Sequence, residues 1–158
     1  MDNVNVIRTG FIAPDLSLPS TDGGIISLKE ILSDDFLALC FFSDSSDKRI
    51  RSLLTELNTD LPKSMSGFGY KVVAVSPEKI HRLGRLKNDL SLKYPLLSDE
   101  RMNVCRRYYV VNNERPGRQV YFSIFIVDNE LIVRHRVSEA FDFKFHVEDF
   151  KKDIAAII

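Results

Sequence analysis

The only cysteines of the chain, Cys40 and Cys105, are the residues best suited to nucleophilic or redox chemistry. A thiol reacts as its thiolate, and that form needs solvent access and positive surroundings. Cys40 sits between Leu39 and Phe41 inside an apolar run and reads as a small core residue. Cys105 has Arg101, Arg106 and Arg107 close by in sequence. Their charges would lower its pKa, which makes it the better candidate for a reactive thiol; the plainer reading is a half-buried helix cysteine. Two cysteines make no disulfide framework, and in a reducing compartment both are expected to be free, although a Cys40–Cys105 disulfide stays open. Ser45 and Ser46 either cap a helix that begins near Asp47 or cradle an anion or small molecule with hydroxyls and free N–H groups. Capping alone accounts for them. His81, His135 and His146 are far apart with no metal-ligand spacing, so neither a metal nor a cofactor is expected.

The elements that would position these groups centre on residues 36–57. Seven apolar residues, Phe36 to Phe42, suit a strand buried on both faces. A polar stretch from Ser43 to Asp47 follows. Ile50, Leu53, Leu54, Leu57 and Leu61 then mark one face of a helix. Strand, loop and helix make half of a βαβ unit, and in open α/β sheets the site lies at that loop. Upstream, Leu16 and Leu18, the turn residues 21–24 and Ile25–Ile26 predict a hairpin, with a short helical turn over Leu28 to Leu32. Downstream, the pattern predicts a strand over 70–76, a helix within 77–90, a short strand over 94–97 and a helix through Val104 to Tyr108 capped by Ser98 or Asp99. A long strand from Val120 to Val127 pairs antiparallel with Leu131 to Val137, and a last helix covers Val147 to Ile158. The expected whole is one α/β domain over residues 1–158 with a mixed sheet and helices on both faces.

The 158 residues carry 22 basic and 22 acidic side chains, so no net field favours nucleic acid or an anionic membrane. No apolar run approaches the ~20 residues of a membrane-spanning helix, and the N-terminus lacks a secretory pattern. A cytoplasmic location is the default expectation. Basic residues from Lys48 to Lys87 read as a solvated face. The string Phe141-Asp142-Phe143-Lys144-Phe145 would put three phenylalanines on one side of an extended segment, against the domain's own core or a partner.

Several stretches together resemble the peroxiredoxins of the alkyl hydroperoxide reductase / thiol-specific antioxidant group, a branch of the thioredoxin fold. Gly10 to Leu18 resembles the opening G-x-x-A-P-D-F-x-L, and Asp22-Gly23 with Ile26-Ser27-Leu28 resembles D-G-x-x-x-S-L. Val72 to Pro77 resembles the strand end V-x-x-V-S, Tyr94 to Asp99 resembles F-P-L-L-S-D, and Phe125 to Asp128 resembles F-x-I-D. The resemblance covers roughly residues 9 to 130. It implies a thioredoxin-like fold of peroxiredoxin type with an N-terminal β-hairpin, and for ordinary members reduction of hydroperoxides by a cysteine thiolate. It also implies a homodimer, a thiol reductant or another protein as partner.

The family's loop reads P-x-x-x-T-x-x-C, and the resemblance implies that the cysteine lies in the first turn of a helix. There the helix end, an arginine and backbone N–H groups would hold its thiolate. Counted from Phe41-Phe42, these positions fall at Ser43, Asp47 and Ile50, and none matches in type. The family's arginine falls at Phe122, with Arg115 and Arg118 a few residues earlier. An aspartate beside a thiolate would raise its pKa, and no cysteine lies between Cys40 and Cys105. Two functions follow: a binding or regulatory relative whose peroxidatic site is degenerate, or a thiol-dependent peroxide reductase that uses Cys105 or, less readily, Cys40.

Overall fold

A computed structural model describes residues 7–59, 61–114, 119–141 and 144–158 of the chain. It enters through a hairpin of β1 (Ser17–Pro19) and β2 (Ile25–Ser27), followed by a one-turn helix α1 (Leu28–Ile31). The hairpin turn places Gly23 at φ 99° and Gly24 at φ 67°, which residues without a Cβ reach at no steric cost. Ser27 and Glu30 close a capping box on α1. The chain continues through β3 (Phe36–Phe41), α2 (Lys48–Glu56), β4 (Tyr70–Ser76), α3 (Ile80–Leu90) and β5 (Leu96–Ser98). It ends with α4 (Asn103–Arg107), β6 (Ser123–Val127), β7 (Val133–Ser138), a 3-10 turn (Glu139–Phe141) and α5 (Val147–Ala155).

Five strands form one sheet in the order β5-β4-β3-β6-β7. β3, β4 and β5 run parallel, while β6 and β7 pair antiparallel at the other side. All six residues of β3 are buried. Their alternation serves two cores. Leu37, Leu39 and Phe41 meet residues from the hairpin, α1 and α4; Phe36, Ala38 and Cys40 meet residues from α2, α3 and α5. The expected mixed sheet with helices on both faces is therefore present. Phe41, Tyr108 and Phe125 stack in the first core with centroids 4.9, 5.8 and 5.2 Å apart, and the Tyr108 hydroxyl donates to the Pro14 carbonyl at 2.6 Å.

Several boundaries differ from the sequence pattern, among them β5 and β7, which begin at Leu96 and Val133 instead of Tyr94 and Leu131. The strand expected from Val120 begins only at Ser123, because Val120 bridges to Val111 and the Tyr121 N–H bonds the Val110 carbonyl instead of the sheet. Neither Ser98 nor Asp99 stands at the N-cap of α4. Met102 does, at φ 61°, while the Asp99 carboxylate reaches the Cys105 N–H at 2.8 Å and Ser98 donates to the Glu78 carbonyl. The last helix stops at Ala155, short of Ile158.

α5 rests beside β7, where the Asp153 carboxylate lies 3.5 Å from His135 Nε2. Burial lowers the His135 pKa below its ordinary value, with Asp153 opposing the shift. The folded state thus binds fewer protons than the unfolded chain once pH falls below 6.5, and stability drops as pH decreases from there toward the folded pKa. Urea titrations from ~pH 7.5 to ~5.5 should show a shallower acid-side loss in His135→Gln than in the parent. In the first core, Phe41→Ala should cost ~3–5 kcal/mol in the same assay, since it empties the centre of the aromatic stack.

Candidate functional site

The loop between β3 and α2 leaves the carboxyl ends of the parallel strands, where α/β sheets place their sites. Asp47 is the N-cap of α2, and its Oδ1 accepts the Arg49 N–H at 2.8 Å and the Ile50 N–H at 3.2 Å. Capping therefore belongs to Asp47 rather than to Ser45 or Ser46. The Ser45 N–H and hydroxyl instead donate to Glu78, at 2.8 and 2.5 Å, tying the loop to the segment after β4. Arg51 donates to the Ser45 carbonyl at 3.1 Å. The Ser46 hydroxyl and N–H both donate to Asp44, which holds the Asp44 carboxyl below its ordinary pKa. The donors that an anion cradle at Ser45 and Ser46 would use are thus engaged by the chain's own carboxylates. Ser43 offers its carbonyl to the Ser76 hydroxyl at 3.5 Å.

Ile50, the residue expected at the position of the family's cysteine, stands in the first turn of α2, and its side chain belongs to the core beneath the sheet with Leu53 and Leu54. Phe122 is buried as well, its ring 5.1 Å from Phe145, which in turn lies 5.4 Å from Phe150. The Phe145 end of the aromatic string thus packs inward, whereas Asp142 and Phe143 lie outside the described residues. Arg115 and Arg118 also lie outside them. Arg49 forms a two-bond pair with Glu139, Nη1 to Oε1 at 2.9 Å and Nη2 to Oε2, and Glu139 Oε2 also accepts the Phe145 N–H at 2.7 Å. That pair raises the Arg49 pKa. No signal within the loop points to Glu78 or Glu139, because each reaches it from a distant part of the chain.

Both cysteines are free and fully buried. Cys40 belongs to the core shared with α2, α3 and α5, and Cys105 to the core on the opposite face. The sheet separates them, which removes the disulfide left open by the sequence. Burial pushes the Cys40 thiol far above its ordinary pKa. Cys105 is raised as well, by burial first and then by the neighbouring Asp99 carboxylate; Arg106 opposes only weakly. The expectation that nearby arginines would lower its pKa is corrected here. Arg101, Arg106 and Arg107 are exposed, and Arg106 turns its guanidinium to the Arg101 carbonyl and the Asn103 side chain. Ellman's reagent should therefore leave both thiols unmodified in native protein and titrate both after denaturation. Rapid labelling of Cys105 before unfolding would contradict the burial.

Sheet order, buried central strand and loop position define a thioredoxin-like α/β protein. The chain belongs to the AhpC/TSA family, whose model matches residues 9–136. It is 25% identical over 136 residues to peroxiredoxin Bcp of Escherichia coli strain K12, an alignment covering 84% of this chain and 86% of that protein. Among solved structures it is similar to peroxidoxin BcpB of Mycobacterium tuberculosis, with TM-score 0.78, 23% identity and 94% of each chain covered. It is also similar to PrxQ of Xylella fastidiosa, with TM-score 0.80, 15% identity and 95% and 96% of the two chains covered. No described helix is long and apolar enough to cross a membrane.

Proposed function

We propose that the chain is a peroxiredoxin-like binding or regulatory module in which the family's peroxidatic chemistry has been lost. The observation that carries this reading is the occupancy of the α2 tip. Ile50 packs into the core at the nucleophile position, and the Asp47 carboxylate takes N–H groups that would otherwise stabilise a thiolate. An isoleucine cannot attack an O–O bond. The arginine position holds a buried Phe122, and Arg49 is committed to Glu139. Losing one member of a catalytic group can already lower a rate by several orders of magnitude. The partner expected for such a module is a second copy or another protein.

The alternative is a thiol-dependent peroxide reductase working through Cys105. The relatives favour it by name, since they include peroxiredoxin Bcp and a Xanthomonas campestris protein described for alkyl peroxide reduction activity. The burial and raised pKa of both thiols weigh against it. Consumption of hydrogen peroxide and tert-butyl hydroperoxide, driven by dithiothreitol, separates the two. The parent and Cys105→Ser should both match the protein-free control. Turnover in the parent that disappears in Cys105→Ser would overturn the loss of activity and establish the alternative.

A further inference from the structure

The open edge of β4 lies at the far end of the sheet from the loop over residues 43–47. Gly69 and Val75 offer their carbonyls to Phe36 and Phe42, so odd-numbered residues of β4 bond β3. Even-numbered residues face the other way, as alternate residues of a parallel ladder must. Ala74 bonds the Pro95 carbonyl and Ser76 the Asp99 N–H, but β5 pairs only with residues 74–76. The N–H and C=O of Val72 are left facing a hollow of about 890 Å³ instead of a neighbouring strand.

The walls of this hollow suit an extended chain. Ile26 and Ile31 line one side and belong with the core above the sheet, while Leu61 and Tyr94 line the other and belong with the core below. A strand laid along β4 would send alternate side chains to these two apolar walls. Asn58 fixes part of the wall by bonding the Ser91 carbonyl and the Lys93 N–H.

Charge selects among occupants. Lys63, Lys71 and Lys93 line the hollow, and among the described residues none has a carboxylate at ion-pair distance. Among the described residues, the two carboxylates that line it are engaged by the chain itself. Asp35 accepts the Gly69 N–H, and Glu30 closes the α1 capping box. Pairing two copies edge to edge would bring the same lysine-lined edges together, the arrangement by which edge lysines discourage self-association. We propose that the β4 edge is a docking site for an extended acidic segment of another protein, which adds as a strand at Val72 and meets Lys63, Lys71 and Lys93 with its carboxylates. This names a partner class for the binding-module reading but stands on a different part of the molecule, and peptide binding is measured separately from peroxide turnover.

The probe is a peptide of alternating valine and threonine with two aspartates at each end, titrated into the ¹⁵N-labelled full chain. A lysine-flanked version serves as control. The Val72 amide should shift and its exchange should slow by ~10-fold or more at saturation, with the aspartate peptide binding at least ~10-fold tighter than the lysine peptide. The exposed substitutions Lys71→Glu and Lys93→Glu together should reverse that preference and leave the spectrum otherwise folded. No saturable shift up to about 1 mM peptide would overturn the proposal. So would equal binding of both peptides, or a concentration-dependent dimer that occupies the Val72 edge in the absence of peptide.

Discussion

Strand β3 has no face open to water, and the rest of the molecule is arranged around that condition. Its side chains alternate between two cores, so α2, α3 and α5 must cover one face while the hairpin, α1 and α4 cover the other. Each large apolar side chain hidden in this way contributes ~1.5–3 kcal/mol relative to exposure. The same condition settles the chemistry of Cys40. A thiol at the centre of a doubly covered strand is a packing atom, and its ionisation is suppressed by the burial that stabilises the fold.

At the end of that strand, the start of α2 presents the amide donors that make a helix N-terminus attractive to anions. Here the anion is internal. Asp47 binds two of those donors, while Glu78 and Glu139 draw in Ser45 and Arg49 from elsewhere in the chain. Groups that could hold a reacting thiolate are used to anchor the loop. The family's scaffold persists, and at this loop the chain's own carboxylates hold the available donors in place. The opposite end of β4 is equipped differently: Lys63, Lys71 and Lys93 line a hollow there, and among the described residues none of them has a carboxylate at ion-pair distance.

Much of the scaffold was legible in the sequence. The run from Phe36 to Phe42 and the helical spacing from Ile50 to Leu57 announce a buried strand and an amphipathic helix, because burial leaves a periodic trace in residue type. Ends were harder. The strand expected to begin at Val120 starts at Ser123, since apolar character cannot distinguish pairing within the sheet from a bridge to Val111. The sequence pattern favours Ser45 and Ser46 as the cap of α2, one or two residues early, because serine and aspartate are both good caps and only the position of Glu78 decides what Ser45 does. Cys105 misled in a similar way. Its arginine neighbours are close along the chain, yet Asp99, six residues earlier, folds back to sit against it. The Arg49–Glu139 pair joins residues 90 positions apart and leaves no local signal.

The central claim is that the tip of α2 already holds its own anion. The most direct measurement is the pKa of a thiol introduced there, followed by thiolate ultraviolet absorbance in Ile50→Cys and in Ile50→Cys combined with Asp47→Thr. The account predicts a pKa at or above the ordinary value of ~8.5 in the single variant and a clear fall in the double variant, once the resident carboxylate is gone. A pKa already well below that value with Asp47 in place would contradict it.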